Sequence, residues 1–325
     1  MDLWKASTRI LQSCYCVGSV HIPDGFLATP VWAATDVIAL PAVAYTARRA
    51  QRAFDEARVP LLGVLGAFVF AAQMINFPVG PGTTGHLVGG ALLSFTLGPA
   101  AASVVMTAIL SIQALVFQDG GVLALGANTI NMALLGVLAG YLPFALWGGG
   151  RFRRLAIFAG GTLSVLVSAL AALSELLVSG VKMPLPVLGL SLALFLVSAV
   201  LEGAITLAIM EALARIQPGA ARAEREFARP GWPRALAMVS LAALVLASVG
   251  VLLASAAPDG LERLGEQIGI NSKVRTLIHT PLSNYRAAFL HSDALGKAAA
   301  GLAGVALVYC ACLVVGRMVA RSRSL

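Results

Sequence analysis

Two histidines stand beside sharp turns, where their ring nitrogens could bind a metal ion. His21 precedes the turn "PDG" at residues 23–25, and His86 follows the glycine- and proline-rich stretch 76–85. Either histidine alone would more commonly have a structural role, since imidazole forms hydrogen bonds in many settings. Two histidines that reach the same face of a membrane favour a metal site.

The residue before His21 sharpens this hypothesis. If the mature chain began at Val20, its α-amine, the backbone nitrogen of His21 and the Nδ1 atom of His21 could chelate one ion. A further nitrogen from His86 would complete a square-planar set of nitrogens, a geometry that suits Ni(II) or Cu(II). The chelate requires that Val20 carry the free amine.

Two routes could expose the amine of Val20. A GTG codon can start translation, so residues 1–19 could be absent from the protein. Alternatively, residues 1–19 resemble a weak signal peptide, with Lys5 and Arg9 ahead of a short apolar run and small residues at 17–19. A retained tail is the other possibility, and it would remove the amine from the site.

The composition predicts the elements that must hold these residues. The 325-residue chain is 58% hydrophobic and 12% charged, with a mean hydropathy of +0.86. These values are typical of an all-α polytopic membrane protein surrounded by lipid. The net charge of +8 does not indicate nucleic acid, because basic residues of membrane proteins collect in cytoplasmic loops.

Apolar runs of about 18 residues or more predict eight membrane helices. A shorter run at 86–98, bounded by glycine and proline, predicts a broken helix that lines an internal cavity. Seven helices would precede a basic linker at 214–234, and two would follow it. The long runs are 29–47, 60–77, 99–118, 122–147, 155–180, 187–213, 235–256 and 294–316.

Lysine and arginine placement predicts the orientation in the membrane. Four regions hold 15 of the 23 basic residues. All four regions fall on one side of the membrane if every predicted segment crosses it, including 86–98. We assign that side to the cytoplasm. Both histidine motifs and residues 258–293 would then lie outside the cytoplasm. The basic regions are 48–59, 148–154, 214–234 and the tail from 317.

Sequence motifs for ATP hydrolysis and for zinc sites are absent from the sequence. There is no G-x-x-x-x-G-K-[ST] loop for ATP and no H-E-x-x-H helix for a zinc protease. The cysteines form two C-x-C pairs, with no histidine at zinc-finger spacing, and we interpret them as apolar residues. They are Cys14, Cys16, Cys310 and Cys312.

Three motifs resemble the CbiM/NikM family, the substrate-binding components of energy-coupling factor (ECF) transporters for cobalt and nickel. They are "VHIPDGFL" at 20–27, "NFPVGPGTTGHLVGGAL" at 76–92 and "FQDGGVLALGANTINM" at 117–132. The resemblance implies a seven-helix metal-binding domain over 20–213. It also implies that Val20, His21 and His86 bind the ion, with Val20 standing where the family has methionine.

A fourth motif, "PDGLERLGEQIG" at 258–269, resembles the PDGLE segment of the accessory subunit CbiN or NikN. Residues 235–325 would be that subunit, fused as a two-helix module. The alternative is an ordinary Pro-Asp-Gly turn. The family resemblance further implies a transmembrane T component and a pair of cytoplasmic ATPases as partners.

Polar residues in these motifs could orient the metal ligands, since a metal-bound histidine usually donates its other ring nitrogen to a neighbour. Three acids in the apolar runs are further candidates because carboxylates are costly in a bilayer, although they could instead cross-link helices. The first group is Asp24, Asn76, Gln113, Asp119 and Asn128, and the second is Asp36, Glu175 and Glu202.

We therefore predict a multi-pass component of a bacterial inner membrane that captures Ni(II) or Co(II) as transported substrate, with no covalently bound cofactor. Nickel is favoured over cobalt because planar nitrogen ligation suits Ni(II) and "HIPDGFL" resembles the nickel-type motif. Cobalt uptake for cobalamin synthesis is the alternative. A membrane enzyme using His21 or His86, or a metal sensor with a cytoplasmic output domain, would belong to other classes.

Overall fold

The computed structural model describes residues 21–53, 58–216, 233–255 and 257–321. Val20 and the predicted leader lie outside these ranges, as does most of the linker. The described residues are mainly helical. The elements are α1 Thr29–Ala53, α2 Val59–Gln73, β1 Phe77–Gly80, β2 Thr83–Gly85, α3 Gly90–Leu97, α4 Pro99–Ile112, α5 Leu125–Asn128, α6 Val137–Trp147, α7 Arg153–Val178, α8 Leu185–Ile216, α9 Pro233–Val245, α10 Val251–Leu253, α11 Gly260–Ile268 and α12 Asp293–Arg321.

In the described part of the chain, six helices are long and apolar enough to cross a membrane. This confirms the all-α, multi-pass class and six of the predicted segments. The spans are Pro99–Phe117, Leu125–Trp147, Arg153–Val178, Leu185–Ile216, Arg234–Leu253 and Asp293–Ala320. Three of the six contain a π-helical turn, and in two of these, Leu125–Trp147 and Arg234–Leu253, the turn joins two of the α-helices above.

The predicted segments 60–77 and 86–98 are shorter helices than expected. Helix α2 has 15 residues, because the apolar run continues into strand β1 instead of into another helical turn. Helix α3 has only eight residues, all buried, and is about 12 Å long. Such a helix cannot cross a bilayer alone, and its buried surface shows that it packs against protein.

Strands β1 and β2 form an antiparallel hairpin that delivers His86 to the interior. Phe77 pairs with Gly85 and Pro78 with Thr84. Gly89 then adopts a left-handed conformation, with φ of 77°, and begins α3. The segment around His86 therefore lies between the hairpin and the start of α3.

Three π-helical turns interrupt the described helices, at Gln113–Phe117, Thr129–Gly136 and Leu246–Gly250. Turns of this kind are frequent at functional sites because they redirect side chains. The first ends at Gln118, whose φ is 58°, and thereby places Asp119 beside His21. The second begins immediately after Asn128, another residue of the predicted site.

The C-terminal module packs directly against the first domain. Helix α12 lies along α2, where Gly63 faces the ring of Tyr309 and Gly66 faces Sγ of Cys312. Cys312 is buried, and Cys310 is exposed. The cysteine at the contact therefore serves as a small apolar residue, as the sequence predicted.

The PDGLE motif begins helix α11 with a capping box. The Asp259 carboxylate accepts from the Glu262 backbone N–H at 2.7 Å, and the Glu262 carboxylate accepts from the Asp259 N–H at 3.3 Å. Pro258 accepts from the Thr84 backbone N–H at 2.9 Å. The motif therefore starts a helix and also binds the hairpin that carries His86.

Candidate metal centre

The segment that begins at His21 is buried and held by backbone hydrogen bonds. Asn128 accepts from the Ile22 N–H at 2.7 Å and donates to the Ile22 carbonyl at 3.1 Å. The same carbonyl accepts from the Gly121 N–H at 2.8 Å. Because Asn128 binds both polar groups of one residue, the direction in which the chain leaves His21 is fixed.

Asp24 attaches the following turn to the same loop. Its carboxylate accepts from the N–H groups of Val122 and Leu123 at 2.9 and 2.8 Å. Gly25 has a φ of 97° and lies against the carbonyl of Lys273, so a larger residue would be strained there. The predicted turn therefore attaches the segment that carries His21 to the loop at Val122 and Leu123. This attachment positions His21 indirectly.

His86 is 7% exposed and presents a free nitrogen lone pair. Its Nδ1 lies 2.6 Å from the carbonyl of Leu87. Because a carbonyl can only accept, Nδ1 must carry the proton and Nε2 the lone pair. Nε2 is buried and has no hydrogen-bond partner among the described residues. This is the arrangement that metal-binding histidines typically adopt.

Glu202 of helix α8 holds the backbone immediately after His86. Its two carboxylate oxygens accept from the N–H groups of Val88 and Gly89, each at 2.8 Å. Glu202 is fully buried. The sequence identified this acid as costly and left its role open between function and cross-linking; the structure shows that it cross-links α8 to the His86 loop.

The two histidine rings lie next to each other although 65 positions separate them in the sequence. Their centres are 5.9 Å apart, and their planes differ by 19°. Imidazole nitrogens bind divalent first-row metals at about 2.0–2.1 Å. Rings at this separation are therefore close enough to share one ion.

Asp119 orients His21. Its Oδ1 atom lies 3.1 Å from Nδ1 of His21, and its Oδ2 atom accepts from the hydroxyl of Tyr285 at 2.5 Å. Burial alone would raise the pKa of Asp119, but His21 and these hydrogen bonds hold it below its ordinary value. Burial, with the neighbouring Asp119, raises the pKa of Tyr285 well above 10. The pair is thus a carboxylate and a neutral phenol.

The predicted chelate and the structure differ in the role of one atom, Nδ1 of His21. Nδ1 of His21, which the chelate would use, contacts Asp119 in the structure. A half-turn of the imidazole about its Cβ–Cγ bond would release that nitrogen. Without the turn, the ring presents Nε2. The amine of Val20 lies outside the described residues.

The other predicted residues have separate positions. Gln113 reaches the site through Tyr285, to which it donates at 3.2 Å. The backbone carbonyl of Asn76 accepts from the N–H of Ser255 at 2.9 Å. Asp36 accepts from the N–H of Gly126 at 2.7 Å, and Glu175 from the side chain of Asn131 at 2.8 Å, so both acids link helices.

Sequence reasoning missed two residues, Tyr285 and Gln73, that lie in the candidate site. Gln73 accepts from Gln113 at 3.0 Å and donates to the carbonyl of Val88 at 2.8 Å. It therefore connects the surroundings of His21 with the loop of His86. The position of Gln73 within an apolar run could have identified it from the sequence, because buried polar side chains need hydrogen-bond partners. Tyr285 lies in a loop with no such pattern.

Burial makes the nitrogen of His86 available in mild acid. Burial, helped by the nearby His21, lowers the pKa of His86 from 6.5 to about 4. Protonated imidazole cannot bind a metal, so His86 should stay competent until the pH falls through 4. We expect its ¹⁵N imidazole resonances, in the metal-free protein, to be unchanged between pH 7 and 5.5. A titration midpoint near 6.5 would contradict this expectation.

Two family models match different parts of the chain. Residues 21–220 match the family described as the cobalt uptake substrate-specific transmembrane region. That match covers more than half of the chain. The chain belongs to this family. Residues 234–321 match the PDGLE domain, so both resemblances identified from the motifs are confirmed.

The relatives of this family member are transport proteins. A putative fused nickel transport protein, NikMN, from Archaeoglobus fulgidus is 35% identical, covering 70% of this chain and 75% of the relative. The fused nickel transport protein NikMN of Rhodobacter capsulatus is 28% identical, covering 89% and 95%. The cobalt transport protein CbiM of Acetoanaerobium sticklandii is 35% identical, covering 49% and 66%.

A solved structure has the same fold. The crystal structure of a truncated transition metal transporter is 32% identical, with a TM-score of 0.52, and covers 60% of this chain and 98% of that chain. Together with the relatives and the six apolar helices, this likeness shows a multi-pass membrane protein for transition-metal transport. The names of the relatives and of this structure indicate a transporter and not an enzyme.

Proposed function

We propose that the chain captures Ni(II) or Co(II) as transported substrate between His21 and His86. The observation that carries the proposal is the meeting of two buried imidazoles, 5.9 Å apart, with Asp119 against one and the Leu87 carbonyl against the other. Partners of this kind fix the tautomer of a ligating histidine. The amine of Val20 remains the proposed further donor.

Nickel is the preferred substrate in this proposal. Two fused relatives are nickel transport proteins, and this chain has the same fused layout. A predominantly nitrogen donor set also suits Ni(II), which binds such sites more tightly than Co(II) does. Competition between the two ions for the purified protein tests the preference, and tighter binding of cobalt would contradict it.

We further propose that the chain is the substrate-specific component of an ECF transporter in a bacterial inner membrane. The sequence contains no P-loop, which favours separate ATPases coupled through a T component. The clustering of 15 of 23 basic residues in four regions supports a metal site on the extracytoplasmic side. This orientation requires that the segment around α3 complete a crossing inside the protein, where its surface is buried.

Uptake in cells tests this assignment. The full chain is expressed in a host lacking its own nickel and cobalt importers, with a T component and ATPase pair and with a Walker-lysine variant of the ATPases as control. We expect accumulation of radioactive nickel with the intact ATPases and background accumulation with the variant. Equal accumulation in both strains would contradict coupling to ATP hydrolysis.

A further inference from the structure

Tyr285 is an unusual residue in the loop of the C-terminal module. It ends the 3₁₀ turn Ser283–Tyr285 and is 6% exposed. Both Asn284 and Tyr285 have left-handed backbones, with φ of 54° and 55°. This conformation is costly for residues other than glycine, above all for a bulky aromatic one, and it persists only where surrounding contacts enforce it.

Aromatic contacts enforce the position of the ring. Tyr285 stacks on Phe117 with ring centres 4.8 Å apart and planes within 16°. Phe70 contacts it at 6.0 Å. Since Phe70 and Phe117 belong to the first domain, the side chain crosses the boundary between the modules. The hydroxyl is thereby held within the first domain, next to Asp119.

The hydrogen bonds around Tyr285 have only one consistent direction. The side-chain nitrogen of Gln73 donates to a carbonyl, so its oxygen accepts from Gln113. The same Gln113 nitrogen donates to the hydroxyl of Tyr285 at 3.2 Å. The hydroxyl proton is then available only for Asp119, whose carboxylate accepts it at 2.5 Å.

This direction determines what Asp119 can offer to His21. One carboxylate oxygen is occupied by Tyr285, and the other faces Nδ1 of His21 at 3.1 Å. The hydroxyl thus prevents the carboxylate from rotating away from the imidazole. A fixed negative charge beside the histidine pair favours a divalent cation. An imidazole that keeps Nδ1 on Asp119 and binds through Nε2 needs no reordering when the cation arrives.

We propose that Tyr285 is a positioning residue of the metal site, supplied by the C-terminal module and acting through Asp119 on His21. The inference rests on the proposed function, since it concerns the same site. It assigns the PDGLE module a direct part in metal affinity: the module completes the hydrogen-bonded surroundings of a ligand carried by the other domain.

The substitution Tyr285→Phe tests the proposal, because it keeps the ring and removes the hydroxyl. Loss of an outer-shell partner costs roughly 10–100-fold in metal affinity. We expect nickel, titrated calorimetrically into the full chain, to bind about tenfold more weakly. The matched control is Tyr309→Phe, which changes a tyrosine of α12 that packs on Gly63 and should leave the affinity unchanged.

A double-mutant cycle separates positioning from a general loss of structure. In the Asp119→Ala background, Tyr285→Phe should no longer change nickel affinity, because the residue through which it acts is absent. The d–d absorption spectrum of bound nickel should change in Tyr285→Phe and stay constant in Tyr309→Phe. A purely structural role would give additive affinity losses and an unchanged spectrum, and would overturn the proposal.

Two further results would be decisive. Unchanged or tighter nickel binding by Tyr285→Phe would overturn the positioning role while leaving the metal site intact. If the unsubstituted chain bound neither nickel nor cobalt, the proposed function itself would fail, and the positioning role with it. The two failures are distinguishable because the first requires a functioning unsubstituted protein.

Discussion

The substitution His86→Ala is expected to reduce nickel affinity by on the order of 100-fold or more, exceeding the cost of losing an outer-shell partner. The physical reason is the buried Nε2 lone pair, for which the described residues provide no hydrogen-bond partner. Alanine removes that donor and leaves His21 as the single imidazole at the site. Calorimetric titration of nickel into the purified full chain measures the loss.

A histidine elsewhere in the chain provides the control. His291 is exposed, so His291→Ala removes an imidazole without touching the site and should bind nickel like the unsubstituted protein. Equal affinities of His86→Ala and His291→Ala would exclude His86 as a ligand. Thermal unfolding of both variants without metal verifies that each is folded before the titrations are compared.

The substitution Glu202→Ala should lower both stability and nickel affinity. It leaves the N–H groups of Val88 and Gly89 without their acceptors. An unsatisfied buried N–H costs about 1–3 kcal/mol, so we expect the free energy of unfolding to fall by roughly 2–6 kcal/mol. Because those N–H groups follow His86 directly, nickel should also bind more weakly.

Glu211→Gln is the matched control for Glu202→Ala. Glu211 lies on the same helix and pairs with Arg154 at 2.6 Å, but the arginine side chain is 74% exposed. Exposed ion pairs contribute about 0–1 kcal/mol, so this variant should retain its stability. Unfolding in denaturing detergent compares the two. A Glu202→Ala protein as stable as Glu211→Gln would show that the buried hydrogen bonds are dispensable.

The sequence predicted the ligand-bearing segments because their signals are local. A histidine beside Pro-Asp-Gly and another after a glycine-rich stretch are visible within a few residues. Asp119 and Asn128 were also identified, since they lie in motifs shared with the family. The long apolar helices followed from hydropathy alone, because nothing else accounts for such runs in a chain with so few charges.

The remaining features depend on contacts between distant parts of the chain. Tyr285 and Asp119 are separated by 166 positions, and no local pattern joins them. Hydropathy also cannot distinguish the first residues of a hairpin from another helical turn, which is why the segment 60–77 was predicted as one helix. The tautomer of His21 follows from Asp119, and this can be determined only from the assembled site.

The location of the bound ion tests the central claim most directly. Crystals of the full chain grown with nickel, and measured at the nickel absorption edge, would give an anomalous peak at the ion. We predict one strong peak about 2 Å from a ring nitrogen of both His21 and His86. A peak elsewhere, or one that contacts neither imidazole, would contradict the proposed metal centre.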